Sequence, residues 1–90
     1  AVTSADAITQ SAALTVSGTS SFTSTGSNSN ITLSTTSNAL TGAVSASTAG
    51  SSGDVTIDNG TTALNIGAST IRGNLTVTAG DSITLYGLKG

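Results

Sequence analysis

Few residues in this chain could do chemistry. It contains no His, Cys or Glu, so a general base or nucleophile would have to come from Asp6, Asp54, Asp58, Asp81, Tyr86 or Lys89. Asp54 and Asp58 lie close enough in sequence to be weighed as oxygen ligands for calcium, which favours clustered carboxylates. The Gly-rich nonapeptide of calcium-binding β-rolls is missing, and all four aspartates lie in Gly-, Ser- and Asn-rich tracts where Asp commonly caps turns. Catalysis is therefore not expected, and no cofactor is implied. Three Asn-x-Ser/Thr sequons, beginning at Asn30, Asn59 and Asn74, are candidate glycosylation sites. Their Asn side chains are read first as ladders hydrogen-bonded between stacked layers.

Composition narrows the elements that could position these groups. Serine and threonine number 16 and 18 of 90 residues, glycine adds 11, and charged residues make up 7%. A net charge of −2 gives the chain no strong self-repulsion and nucleic acid no basic surface to meet. No apolar run approaches the roughly 18 residues that a membrane-crossing helix needs. The chain opens Ala1-Val2-Thr3-Ser4 without an initiator Met or a signal peptide, so an internal piece or processed product of a longer secreted polypeptide is expected.

Ser, Thr, Gly and Asn are poor helix formers, and no 3.6-residue apolar stripe appears. What recurs is aliphatic, small polar, aliphatic: Leu14-Thr15-Val16, Ile31-Thr32-Leu33, Val55-Thr56-Ile57, Leu64-Asn65-Ile66, Leu75-Thr76-Val77 and Ile83-Thr84-Leu85. Period-two alternation puts both aliphatics of each triplet on one face of a short strand and the polar residue on the other. Corner tracts separate the triplets. The stretches 1–10 (AVTSADAITQ) and 76–85 (TVTAGDSITL) agree at Val2/Val77, Thr3/Thr78, Asp6/Asp81, Ile8/Ile83 and Thr9/Thr84. Matches at one constant offset are the mark of an internal repeat.

This pattern predicts an all-β right-handed parallel β-helix, the hand taken from the crossover rule. About three coils of roughly 25 residues would each carry three short strands. The whole chain, 1–90, then forms a single solenoid segment, with one repeat of about 75 residues (8–82) plus the start of the next. One column should stack Ile8, Ile31, Val55 and Ile83, and a second Leu14, Leu40 and Leu64. A third should hold Val2, Phe22, Val44 and Leu75. The expected core is Ile8, Leu14, Val16, Phe22, Ile31, Leu33, Leu40, Val44, Val55, Ile57, Leu64, Ile66, Leu75, Val77, Ile83 and Leu85. Thr9, Thr32, Thr56 and Thr84 form the expected outward ladder. A bulge or added strand is expected around Ile71-Arg72-Gly73.

The phrases AALTVSGTSSF at 12–22, NITL at 30–33, ALTGAVS at 39–45 and LNIGASTIRGNLTVTAGDSIT at 64–84 resemble the repeats of filamentous-haemagglutinin-like adhesins. These are very large exoproteins of Gram-negative bacteria, often exported by two-partner secretion. The resemblance spans nearly the whole chain and implies a β-helical shaft at the cell surface, serving adhesion, aggregation or biofilm cohesion. The implied partners are copies of itself or neighbouring repeats, stacked end to end, and a host or cell-surface glycan or protein receptor. The family's secretion-directing domain is absent from these residues, and Tyr86-Gly87-Leu88-Lys89-Gly90 departs from the repeat. The alternative is an ice- or glycan-binding solenoid. Its flat Thr-x-Thr signature occurs at Thr23-Ser24-Thr25 and Thr76-Val77-Thr78, but does not recur coil by coil.

Overall fold

A computed structural model describes residues 2–35, 37–50, 52–85 and, for the backbone alone, 88–89. Twelve strands follow in chain order: β1 (Val2–Ser4), β2 (Thr15–Val16), β3 (Ser20–Ser27), β4 (Ile31–Leu33), β5 (Ala39–Leu40), β6 (Val44–Ala49), β7 (Val55–Asp58), β8 (Leu64–Ile66), β9 (Ser69–Thr70), β10 (Leu75–Thr78), β11 (Ile83–Leu85) and β12 (Leu88–Lys89). Every pairing among the described residues is parallel and joins one coil to the next, so the chain is a β-solenoid. The described residues include no helix, and so none long and apolar enough to cross a membrane.

Three faces result. The first stacks β1, β3 and β6, then the broken pair β8 and β9, then β11 and β12. The second stacks β4, β7 and β10, with Ile8 bridged to Ile31 above them. The third is the short pair β2 and β5. Such short strands cannot satisfy their own backbone groups, so parallel neighbours one coil away accept and donate for them.

The second face shows most directly why the triplets fold this way. Ile8, Ile31, Val55 and Leu75 lie in register on the inner side, as do Leu33, Ile57 and Val77. Between them Thr32, Thr56 and Thr76 alternate outward. Ile31 and Val55 are wholly buried, whereas Leu75, on the last coil, is half-buried. Burying one such side chain contributes about 1.5–3 kcal/mol, which lets a sparsely aliphatic chain hold a core.

The coil count and the columns differ from the expectation. There are about four turns, because the coils are unequal in length and several are shorter than expected. On the second face the step from Val55 to Leu75 is shorter than those from Ile8 to Ile31 and from Ile31 to Val55. The step from Val2 to Phe22 on the first face is equally short. Leu75, not Ile83, therefore continues the Ile8 column. Ile83 stacks on Leu64 instead, and Leu40 stacks on Val16. Phe22 lies over Ala46, while Val44 lies over Ser20. The offset that relates 1–10 to 76–85 is not a whole number of turns, so Val2 and Val77 lie on different faces. The added strand expected near Ile71 is β9, which ends just before it, and Ile71 itself is buried at 3% exposure.

Five layers on the first face leave four gaps of about 4.8 Å, which accounts for the shortest dimension of 31 × 27 × 19 Å. The segment is broader than it is tall.

Candidate functional site

The carboxylates do not converge. Asp58 Oδ1 accepts from Gly60 N at 2.9 Å, and Asp81 Oδ1 from Ser82 N at 2.9 Å. The backbone amide of Asp6 donates to Ser4 Oγ at 3.1 Å. Asp54 Oδ1 accepts from Asn74 N at 2.8 Å, and Asn30 Oδ1 accepts from Asp54 N at 2.9 Å. Asn30, Asp54 and Asn74 thus form an axial column in which the side chains of Asn30 and Asp54 each cap the backbone of the next coil. Among the described residues, no group of three acidic, His or Cys side chains could hold a metal ion. Tyr86 lies outside the described residues, and of Lys89 only the backbone lies within them.

The sequons separate by position. Asn30 and Asn74 are exposed at the start of the second face. Asn59 is not available for glycosylation in the folded chain: it is wholly buried. Its Oδ1 accepts from Leu40 N at 2.8 Å, while its Nδ2 donates to Leu40 O at 3.0 Å and Ala63 O at 2.9 Å. One primary amide therefore makes both bonds that a neighbouring strand would make to Leu40.

Asn59 continues a corner stack. Gln10 and Asn38 face each other in neighbouring coils through two amide–amide bonds of 2.8 Å. Asn38 Oδ1 also accepts from Leu14 N at 2.9 Å, and its Nδ2 donates to Asp58 O at 3.0 Å. Ser69 plays a similar part at the break between β8 and β9, where its hydroxyl accepts from Ala46 N at 3.0 Å. These inward polar groups were not expected from the triplets. A signal existed, since extending the alternation from Val55 and Ile57 by two residues lands on Asn59.

The outward hydroxyls form two arrays. The first runs Thr9, Thr32, Thr56 and then Thr76. Thr84 does not belong to it, because it pairs with Asn65 on another face. The second array was missed. It is a shallow groove on the first face, where the outward side chains include Ser21 and Thr23 on one coil, Ser45 and Ser47 on the next, and Thr70 on the third. Hydroxyls about 4.8 Å apart between strands can donate and accept along a polar surface.

The remaining expected core residues divide by height. Ile8, Phe22, Ile31, Leu33, Leu40, Val44, Val55, Ile57, Leu64 and Ile66 are buried, joined by Ala46 and Ile71. Leu14, Val16, Leu75 and Val77 pack against them half-buried. Ile83 and Leu85 are not core: they are 43% and 52% exposed. They point inward like Leu64 and Ile66, but among the described residues no further coil covers them.

A family model matches the chain twice, over residues 1–47 and 52–88. The chain belongs to the repeat family DUF5649. That family is described as repeats of unknown function. The first DUF5649 match supplies the upper coils and the second the lower, so β4 and β7 join one copy to the other. No curated protein and no solved structure matches the chain.

Proposed function

We propose that this DUF5649 segment is a structural and adhesive β-solenoid of a secreted bacterial surface adhesin or extracellular filament. Its role is to extend a shaft by stacking coils. The observation that carries the reading is the seating of one family match on the other through continuous parallel registers, with Ile31 and Val55 wholly buried at their junction. Repeats that contact only their neighbours can be added without redesigning the core, which suits a shaft. The phrases resembling filamentous-haemagglutinin-like repeats support the adhesive and cell-surface parts of this proposal, and the reading assigns no catalysis to the chain.

Two measurements test it. Genetically joined copies should appear in electron micrographs as unbranched rods that lengthen in proportion to copy number. Displayed on a non-adherent bacterium, the same rods should raise attachment to cells or autoaggregation. Globular beads on a string, or attachment no greater than that of the undecorated strain, would count against it.

The serine and threonine groove on the first face favours a second reading, a glycan-binding module. Binding of the isolated chain on a glycan array, lost on replacing Thr23 and Ser47 by Val, would favour this over a plain shaft.

A further inference from the structure

The chain contains one Asn-Gly step, Asn59-Gly60, and it lies at the corner between β7 and β8. In a flexible chain this dipeptide loses its side-chain amide more readily than other Asn-containing pairs, because glycine sets no Cβ beside the attacking backbone nitrogen. The other asparagines precede Ser29, Ile31, Ala39, Ile66 and Leu75, each with a side chain in the way.

The fold ties down both reacting groups. Asn59 is wholly buried, its Oδ1 accepts from Leu40 N, and its Nδ2 donates to Leu40 O, Ala63 O and, at 3.4 Å, Thr62 O. The Gly60 amide, which would attack, donates to Asp58 Oδ1 at 2.9 Å. Nδ2 is the atom that must leave, so the reaction in the folded chain would forfeit all of its bonds and strand buried carbonyls.

We infer that Asn59-Gly60 is a deamidation site that the fold keeps closed, reacting only when this corner opens and then barring the chain from refolding. The step is a cyclisation followed by hydrolysis. The Gly60 nitrogen loses its proton and bonds to Asn59 Cγ, while the Cγ–Nδ2 bond breaks and ammonia departs with that proton. Water then opens the succinimide ring. Cleavage between Cγ and the Gly60 nitrogen leaves aspartate at position 59. Cleavage at the Asn59 main-chain carbonyl leaves isoaspartate, whose backbone is one carbon longer.

Neither product fits the corner. An ionised carboxylate only accepts, so it would face Leu40 O and Ala63 O with no proton to offer, and would be a buried charge without a partner. Protonated, it would still have one donor where the amide has two. The longer backbone of isoaspartate would displace Asn59 N from Thr78 O and Asn59 O from Thr62 N, which now hold the corner at 2.8 and 3.0 Å. Time spent unfolded is thereby recorded in a covalent bond, and chains that linger there are withdrawn from the folded pool.

The test incubates the full chain folded and in urea, at the same mildly alkaline pH and temperature. Fragmentation mass spectrometry follows each Asn, and enzymatic methylation counts isoaspartate. In urea, Asn59 should convert ahead of every other Asn. In the folded chain its loss should be at least about a hundredfold slower, because reaction then waits on a rare opening. After dilution from urea, the fraction regaining the parent's circular dichroism should fall in step with modification at Asn59. Gly60→Ala should slow the loss in urea, a rate that needs no folded state. Asn59→Asp, which installs one product directly, should melt well below the parent or stay unfolded. Equal rates in the folded and unfolded chains overturn the inference, as does faster reaction at another Asn or no slowing by Gly60→Ala. So does recovery of the parent's signal and melting temperature by deamidated chains or by Asn59→Asp.

Discussion

Asn59 is the residue on which the third coil turns. The chain between β7 and β8 offers no strand to pair with β5, and one side-chain amide supplies the missing donor and acceptor to Leu40. Replacing Asn59 by Leu keeps the number and branching of side-chain heavy atoms, adds some bulk, and leaves Leu40 N, Leu40 O and Ala63 O without that partner. Each buried group so stranded costs about 1–3 kcal/mol, so the loss should be about 3 kcal/mol or more. For a domain of this size that lowers the melting temperature by roughly 10 °C or more, read by thermal circular dichroism. Asn74→Ala, at an exposed sequon, should change stability by only about 0.5 kcal/mol. Equal effects would show that the buried amide contributes nothing special.

Glycine makes a similar contrast within one column. A Cβ on Gly42 would lie 2.6 Å from the Gly18 carbonyl carbon and 2.9 Å from Thr19 N, whereas one on Gly18 would meet nothing within 4 Å. Gly42→Ala should therefore push neighbouring coils apart and cost about 1–3 kcal/mol. Gly18→Ala should be neutral, or stabilise by up to about 1 kcal/mol through the unfolded chain. Urea denaturation of the pair checks both signs.

At the scale of the strand, position in the stack outweighs residue type. Ile31 and Ile83 each open an Ile-Thr-Leu triplet, yet Ile31 is sandwiched between Ile8 and Val55 while Ile83 has a neighbour on one side only. Ile31→Ala should cost about 2–5 kcal/mol, the usual range for emptying a close-packed site. Ile83→Ala should cost about 1 kcal/mol or less, because much of its surface is already wet. Similar losses in denaturant titrations of the two would mean that Ile83 is covered in solution. The triplets made such strands easy to locate from sequence. Their partners were harder, because one short strand fits equally well over any other, and only the lengths of the intervening corners decide which one it meets.

For the whole molecule, a stack in which each coil holds only its neighbours should open from its ends. Amide hydrogen exchange is expected to be slowest in β4, β7 and the start of β6, and fastest in β1 and β11, where the coil has support on one side. Uniform protection along the chain would indicate a fully cooperative unit.

Alternation, composition and the spacing of aliphatic triplets were enough to specify a parallel coil with a dry interior and a hydroxyl-rich exterior. Those features depend on period two, which a sequence displays openly. Which residues share a column depended on the coils being unequal, with Val55 to Leu75 a shorter step than Ile31 to Val55, and no local signal announces a corner's length. The same shortening moved Thr76 into the place expected for Thr84. Asn59 and Ser69 turn inward for a different reason, to replace backbone partners that no strand provides. Only the folded stack decided these matters, because register is set by summing every corner, and a small error in one carries every later strand to another face.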